Sequence, residues 1–155
     1  MMSAQSPAVA QTVVQLMSQI QRRPGHEVAA EDIAGQHRLT IAELVLSSNR
    51  LANAFIGLGL TPGSRVAYVA QNHVEYVVLE FALLKAGLVK VPLNHRFAPN
   101  ELRRCIELAD VRLVVADDAS SAVLDEVLDG ADILRVHIGP RDGWLMFAGI
   151  VAGGA

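Results

Sequence analysis

The segment Asn94-His95-Arg96-Phe97 sets an amide, an imidazole, a guanidinium and an aromatic ring on four consecutive residues. It follows an apolar run over 88–93, so the pattern predicts a loop at the carboxyl end of a buried strand. Open α/β sheets hold their ligands at such ends. A guanidinium there suits a phosphate or a carboxylate, because its planar fork matches their oxygens. The same residues also suit a structural part, with Asn94 and Arg96 fixing a turn and its neighbouring carbonyls. Asn94, His95 and Arg96 are therefore the candidate cofactor-binding residues, with both readings open. No residue stands out as catalytic.

Other chemistry is thinly represented. There is no Gly-x-x-x-x-Gly-Lys-Ser/Thr loop, no Gly-x-Gly-x-x-Gly turn and no Gly-x-Ser-x-Gly elbow. His26, His37, His73, His95 and His137 share no metal-ligand spacing with one another or with Cys105, so no metal site is expected. Cys105, between Leu102 and Ile106, reads as a small buried hydrophobe. Asp117-Asp118 follows a strand pattern, at a place where ligands also bind, but capping of the next helix is the better reading. Gly153-Gly154 reads as a frayed tail.

The bulk properties narrow the classes. A chain of 155 residues with 52% hydrophobic side chains is long enough for one domain with a real core. Its mean hydropathy is +0.33, yet charges such as Glu75, Glu80, Lys85 and Lys90 break the greasiest stretch. No membrane span is expected. The apolar excess instead suggests a surface that the chain does not cover by itself. A net charge of −3 without a basic stripe argues against nucleic acid. One cysteine excludes an internal disulfide and fits a reducing compartment, so a cytoplasmic location is expected. The N-terminus lacks a secretory signature and reads as an ordinary first helix, with Val9, Val13, Leu16, Met17 and Ile20 on one face.

The elements that must position the loop follow from periodicity. Two short strands, 26–32 and 38–41, flank a turn at Ala34-Gly35-Gln36. Thr40 and Glu43 have the capping-box spacing. The helix after them aligns Leu44, Ser48, Leu51, Phe55 and Leu58. Gly59 reads as a left-handed stop, with Leu60 folding back and a turn at Pro62-Gly63. A strand at 65–70 leads to a helix from Asn72, its expected cap, to Ala86. That helix is apolar around most of its circumference, so burial on more than one side is expected. The strand 88–93 is apolar except for Lys90, as in a sheet covered on both faces. Pro99 suits a first helical position, with Leu102, Cys105, Ile106 and Ala109 facing inward. Strand 112–116, helix 120–128, strand 133–138 and a short helix 144–151 complete the order. The pattern predicts an α/β fold: a doubly wound, mostly parallel sheet with helices on both faces.

At this level the chain resembles the adenylate-forming, AMP-binding family that includes acyl-CoA synthetases, firefly luciferase and peptide-synthetase adenylation domains. Leu39-Thr40-Ile41-Ala42-Glu43-Leu44 is similar to the family's first core motif, Leu-Thr-Tyr-x-Glu-Leu. Leu84-Lys85-Ala86-Gly87 with Val91-Pro92-Leu93-Asn94 is similar to its second. Residues 48–54 and 62–67 lie between them in family style and order. The match is firmest over 39–118 and extends over 9–151. Asn94 after Val-Pro-Leu resembles the acyl- or aryl-CoA synthetase branch, since amino-acid adenylation domains usually carry Asp there.

The resemblance implies ATP-dependent activation of a fatty or other carboxylic acid to an acyl-adenylate, with magnesium, and then transfer to the CoA thiol. It also implies a boundary. The family's Ser/Thr/Gly-rich phosphate loop, its adenine and ribose motifs and its catalytic lysine have no counterpart here. The expectation is a single truncated N-terminal subdomain over 1–155 that binds no cofactor and is inactive alone. The alternative is a non-catalytic interaction module that docks on a full-length synthetase or self-associates through an uncovered apolar face. Ile41 departs from the usual aromatic, and Ala98 from the usual Thr, which removes a helix cap. Lys90 in an apolar strand suggests snorkelling at the strand end.

Overall fold

In a computed structural model of the protein, residues 12–153 are described. The first helix, α1 (Val13–Gln21), opens with a reciprocal cap between Thr12 and Gln15. Of its expected inner face, Met17 is buried, whereas Val13 and Leu16 are each 49% exposed. Val9 lies outside the described residues. A two-stranded antiparallel hairpin follows, β1 (Val28–Glu31) and β2 (Arg38–Thr40). Its turn is the expected one, with Gly35 at φ +67° and the Asp32 carboxylate accepting from the Gln36 amide.

The Thr40–Glu43 box starts α2 (Ile41–Gly57): Glu43 N donates to Thr40 Oγ1 at 3.2 Å and Thr40 N to Glu43 Oε2 at 2.9 Å. The stripe Leu44, Ser48, Leu51 and Phe55 is buried, as its 3.6-residue period requires. Leu60 folds back so that its amide donates to Phe55 O at 3.1 Å.

The main body is β3 (Arg65–Val69), α3 (Glu75–Ala86), β4 (Val89–Pro92), α4 (Pro99–Leu108), β5 (Val111–Ala116), α5 (Asp118–Val127), β6 (Leu134–His137), β7 (Leu145–Met146) and α6 (Phe147–Ala152). Its five strands pair in the order β4-β3-β5-β6-β7, all parallel. Side chains alternate across the sheet with a period of two, and this builds two cores. Val66, Tyr68, Leu113, Val115 and Val136 pack in one with residues of α2, α3 and α6. Ala67, Val69, Val114 and Ala116 pack in the other with Leu102, Ile106 and Leu124 of α4 and α5. The doubly wound parallel sheet is therefore present, with helices on both faces.

Several expectations need correction. The segment 88–93 forms not a strand covered on both sides but the sheet's edge. Val89 is 45% exposed and Pro92 is exposed, because β4 pairs with β3 alone. Asn72 does not cap α3. Val74 holds the N-cap position without a side-chain bond, and the chain first makes tight turns from His73 and Val74. Lys90 does not snorkel: its ammonium donates to the Tyr76 hydroxyl at 2.9 Å, pairs with Glu80, and lies 5.1 Å from the Tyr76 ring centroid. The expected helix 144–151 divides into β7 and α6, since Leu145 and Met146 complete a parallel pair with Val136 and His137. Asp125 of α5 secures this crossing by accepting from Trp144 Nε1 at 2.8 Å and pairing with Arg141. Cys105 is half-buried rather than buried.

Candidate functional site

The strand order locates the site before any side chain is considered. From β3 the chain crosses to β4 on one side and then to β5 on the other. The carboxyl ends of β3 and β5 therefore flank a topological switch point, where the two crossovers diverge and where open α/β sheets bind their ligands. The segments that leave these ends are residues 70–74 after β3, 93–98 after β4 and 117–118 after β5.

The best-connected group there is Asp117. It is only 6% exposed. One oxygen accepts from Ser120 N at 3.1 Å, which caps α5 as the sequence suggests. The other accepts from Gln71 N at 2.9 Å and from His73 Nε2 at 3.1 Å. Burial alone would raise the Asp117 pKa, but the Gln71 amide, His73 and Ser120 together hold it below the usual carboxylate range. Tyr68 adds to the loop by donating its hydroxyl to Gln71 O at 2.8 Å, and burial pushes that phenol far above its ordinary pKa.

The sequence-derived candidates stand on the neighbouring loop. Asn94 Oδ1 accepts from Arg96 N at 2.9 Å, and Asn94 O accepts from Phe97 N at 3.0 Å. This is an Asx turn, which supplies the structural reading of Asn94 directly. His95 is half-buried and Arg96 exposed. The side chains of both make no hydrogen bond or ion pair among the described residues. The fold thus does not join these three residues to Asp117.

A second histidine lies at the end of β6. His137 is 1% exposed, and its Nδ1 lies 2.9 Å from Gly139 O and 3.1 Å from Gly139 N, so that its tautomer decides which of the two it bonds. Its Nε2 has no hydrogen bond among the described residues and stands 3.6 Å from Asp118 Oδ1. The hydroxyls of Ser120 and Ser121 are also buried without partners. These groups do not make a nucleophilic triad: the hydroxyls are shut from solvent, and the imidazole presents Nε2 to Asp118 rather than to a serine.

Phosphate chemistry has no cradle here. Each helix that starts at this end carries an acid in its first turn: Glu75 on α3, Glu101 on α4 and Asp118 on α5. At α5 the Asp117 carboxylate already takes the Ser120 amide that would otherwise meet an anion. Among the described residues no three His, Cys, Asp or Glu side chains cluster as a metal site. On the α2–α3–α6 side, a separate cavity of about 350 Å³ is floored by Leu39, Val78 and Phe147, with Arg38 and Glu75 at its rim.

Sequence reasoning missed the Asp117–His73–Gln71 cluster. Both acid and imidazole follow strands, which was the available signal. Their meeting across 44 residues depends on β3 and β5 being neighbours, and only the strand order reveals that.

Comparison with known proteins gives a consistent picture. A family model described as "AMP-binding enzyme" matches residues 16–147. A medium/long-chain-fatty-acid–CoA/3-oxocholest-4-en-26-oate–CoA ligase of Mycolicibacterium smegmatis is 30% identical over 122 residues, covering 76% of this chain and 22% of that protein. Among solved structures, ATP-bound MatB from Rhodopseudomonas palustris aligns with a TM-score of 0.73 at 31% identity, over 89% of this chain and 27% of that one. A benzoate CoA ligase from Burkholderia xenovorans LB400 shares the fold with a TM-score of 0.80 at 22% identity, over 90% and 28%. The chain therefore spans about a quarter of the length of the proteins it matches.

Proposed function

Because this chain belongs to the family of AMP-binding enzymes, we propose that it forms part of the scaffold of an acyl-CoA synthetase-like ligase. The whole enzyme would use ATP and magnesium to activate a fatty or other carboxylic acid as its acyl-adenylate, then pass the acyl group to CoA. A cytoplasmic setting belongs to the same proposal. Among the described residues, no helix is long and apolar enough to cross a membrane.

The observation that carries the reading is the family match over 16–147 on a parallel sheet whose carboxyl end is built and capped. The residues present do not fit a triphosphate. Acids occupy the first turns of α3, α4 and α5, and a phosphate brought to them would meet like charge. This chain by itself therefore offers ATP no phosphate site, and we take it to be inactive alone. Arg96, exposed and unpaired among the described residues, is the group we assign to meet an acid or phosphate held by other parts of such an enzyme. Asn94 would shape its turn, with His95 beside it.

The test is pyrophosphate release from the purified chain with ATP, magnesium and decanoate. Release that requires both ATP and the acid would overturn the inactivity. The scaffold role is read from a chimera in which this chain replaces the matching 122-residue segment of the Mycolicibacterium smegmatis ligase. Retained acyl-CoA formation supports it, and a folded but inactive chimera contradicts it.

A second reading, a non-catalytic module that self-associates, is favoured by one observation. Val89 on the edge strand β4 is 45% exposed, and on α3 just before it Leu84 is 40% exposed and Phe81 half-buried. An unpaired edge is a ready template for another chain. Concentration-dependent sedimentation that Val89→Lys abolishes would support this module, and a monomer at every concentration would exclude it.

A further inference from the structure

The Asp117–His73 pair does more than join two loops. The carboxylate is buried, accepts two backbone amides at the start of α5 and after β3, and is held ionised by them. An ionised carboxylate only accepts, so the His73 nitrogen 3.1 Å away must carry a proton. Neutral His73 is thereby fixed as the Nε2–H tautomer, with its basic lone pair on Nδ1. That Nδ1 makes no hydrogen bond among the described residues, and the His73 side chain is 34% exposed. A clamp between loops would need only Nε2. What is left over is an oriented hydrogen-bond acceptor at the switch point between β3 and β5.

We propose that His73 is a ligand-binding residue, positioned by Asp117, whose Nδ1 accepts a hydrogen bond from an O–H or N–H group of a neutral small molecule seated outside the carboxyl ends of β3 and β5. The surroundings set the ligand's charge. Asp117 from the start of α5 and Glu75 from α3 both act on the Tyr68 hydroxyl and make this side of the switch point acidic, while Asp118 faces His137, and His95 and Arg96 stand on the separate 93–98 loop. Anions are disfavoured by these carboxylates. This inference stands on the geometry of the chain itself and does not depend on the ligase reading.

The experiment follows the His73 ring nitrogens by NMR in the ¹⁵N-labelled full chain. Adenosine offers hydroxyl and amine donors, pantetheine offers hydroxyl and amide donors, and AMP serves as the anionic control. The free protein should show a protonated Nε2 facing Asp117 and a bare Nδ1. At least one neutral probe should shift Nδ1. His73→Gln retains a donor for Asp117 and should keep the thermal midpoint while weakening binding at least ten-fold. Binding by adenosine alone marks a nucleoside as the source of the donor, binding by pantetheine alone marks a thiol carrier arm, and binding by both supports the donor class. An undisturbed Nδ1 with both probes overturns the proposal. So does wild-type affinity in His73→Gln, or tighter binding of AMP than of adenosine.

Discussion

The ammonium of Lys85 lies 2.6 Å from the hydroxyl of Ser48, a side chain that α2 buries completely. The same nitrogen reaches Asn49 Oδ1 at 2.7 Å and Val45 O at 3.3 Å. Three donors thus meet three neutral acceptors on the preceding helix, α2, with no carboxylate in the set. This explains a lysine near the end of α3, after the apolar run 81–84: it fastens α3 to α2 where Ser48 leaves a polar atom in the interface. Lys85→Met should lower stability by about 1–2 kcal/mol, because charged hydrogen bonds are lost while Ser48 keeps its bond to Leu44 O. Thermal unfolding of the two proteins checks this.

Burial also lowers the Lys85 pKa below 10.5. With the folded value depressed, the unfolded chain binds more protons in the window between the lowered pKa and 10.5. Stability held back at neutral pH therefore returns as pH rises through that window. The pH slope of unfolding in that alkaline range should be steeper for the wild type than for Lys85→Met. Equal slopes would mean that the lysine is not desolvated.

Asp117 predicts the opposite sign. Its folded pKa lies below 3.8, so its contribution is full above that value and disappears as pH falls through the lowered one. Asp117→Ala removes a cap and the bonds to Gln71 and His73, and should cost about 2–3 kcal/mol near neutral pH. The difference between the two proteins in urea unfolding should shrink in acid. A constant difference down to pH values below the lowered pKa would show that the charge of Asp117 contributes nothing.

These residues also mark what was legible in the sequence. Periods of 3.6 and 2 are local, so α2, the β-strand order along the chain and the Thr40–Glu43 box could be read directly. Asp117 as a cap was equally local. The exposure of β4 was not: its composition is that of a covered strand, and only its place at the end of β4-β3-β5-β6-β7 leaves it open. Lys90 misled for a related reason, since its partners Tyr76 and Glu80 come from the preceding helix. At β7 the two-residue strand is too short to have a period, and the apolar residues beyond it read as one helix. The His73–Asp117 contact required tertiary pairing and had no local signature.

Gly87 tests the turn that feeds β4. It ends α3 at φ +67°, and its carbonyl accepts from Gly63 N at 2.8 Å. A methyl group there would stand 3.4 Å from Pro62 Cβ, on top of the left-handed strain. Gly59 is left-handed too, at φ +91°, but a Cβ at that position meets nothing within 4 Å. Gly87→Ala should cost about 1–2 kcal/mol and Gly59→Ala about 1 kcal/mol, the backbone term alone. Chemical unfolding of the two variants separates the contributions. Equal losses would rule out an energetic part for the Pro62 contact.

Ala98 offers a gain instead. It occupies the N-cap of α4 at φ −63° and ψ 155°, the extended backbone that a capping residue adopts, but has no side-chain acceptor. The other half of the box is in place, for Ala98 N donates to Glu101 Oε2 at 2.8 Å. Ala98→Ser adds a side-chain acceptor for the Glu101 amide, which already donates to Ala98 O at 2.9 Å, without moving the backbone. It should stabilise the chain by about 1 kcal/mol, a rise in Tm of about 2–4 °C for a protein of this size. The double variant Ala98→Ser with Glu101→Ala should retain part of that gain, because a serine cap acts without the returning carboxylate. If Ala98→Ser leaves Tm unchanged while α4 stays folded, the 98–101 turn is not limited by its missing cap.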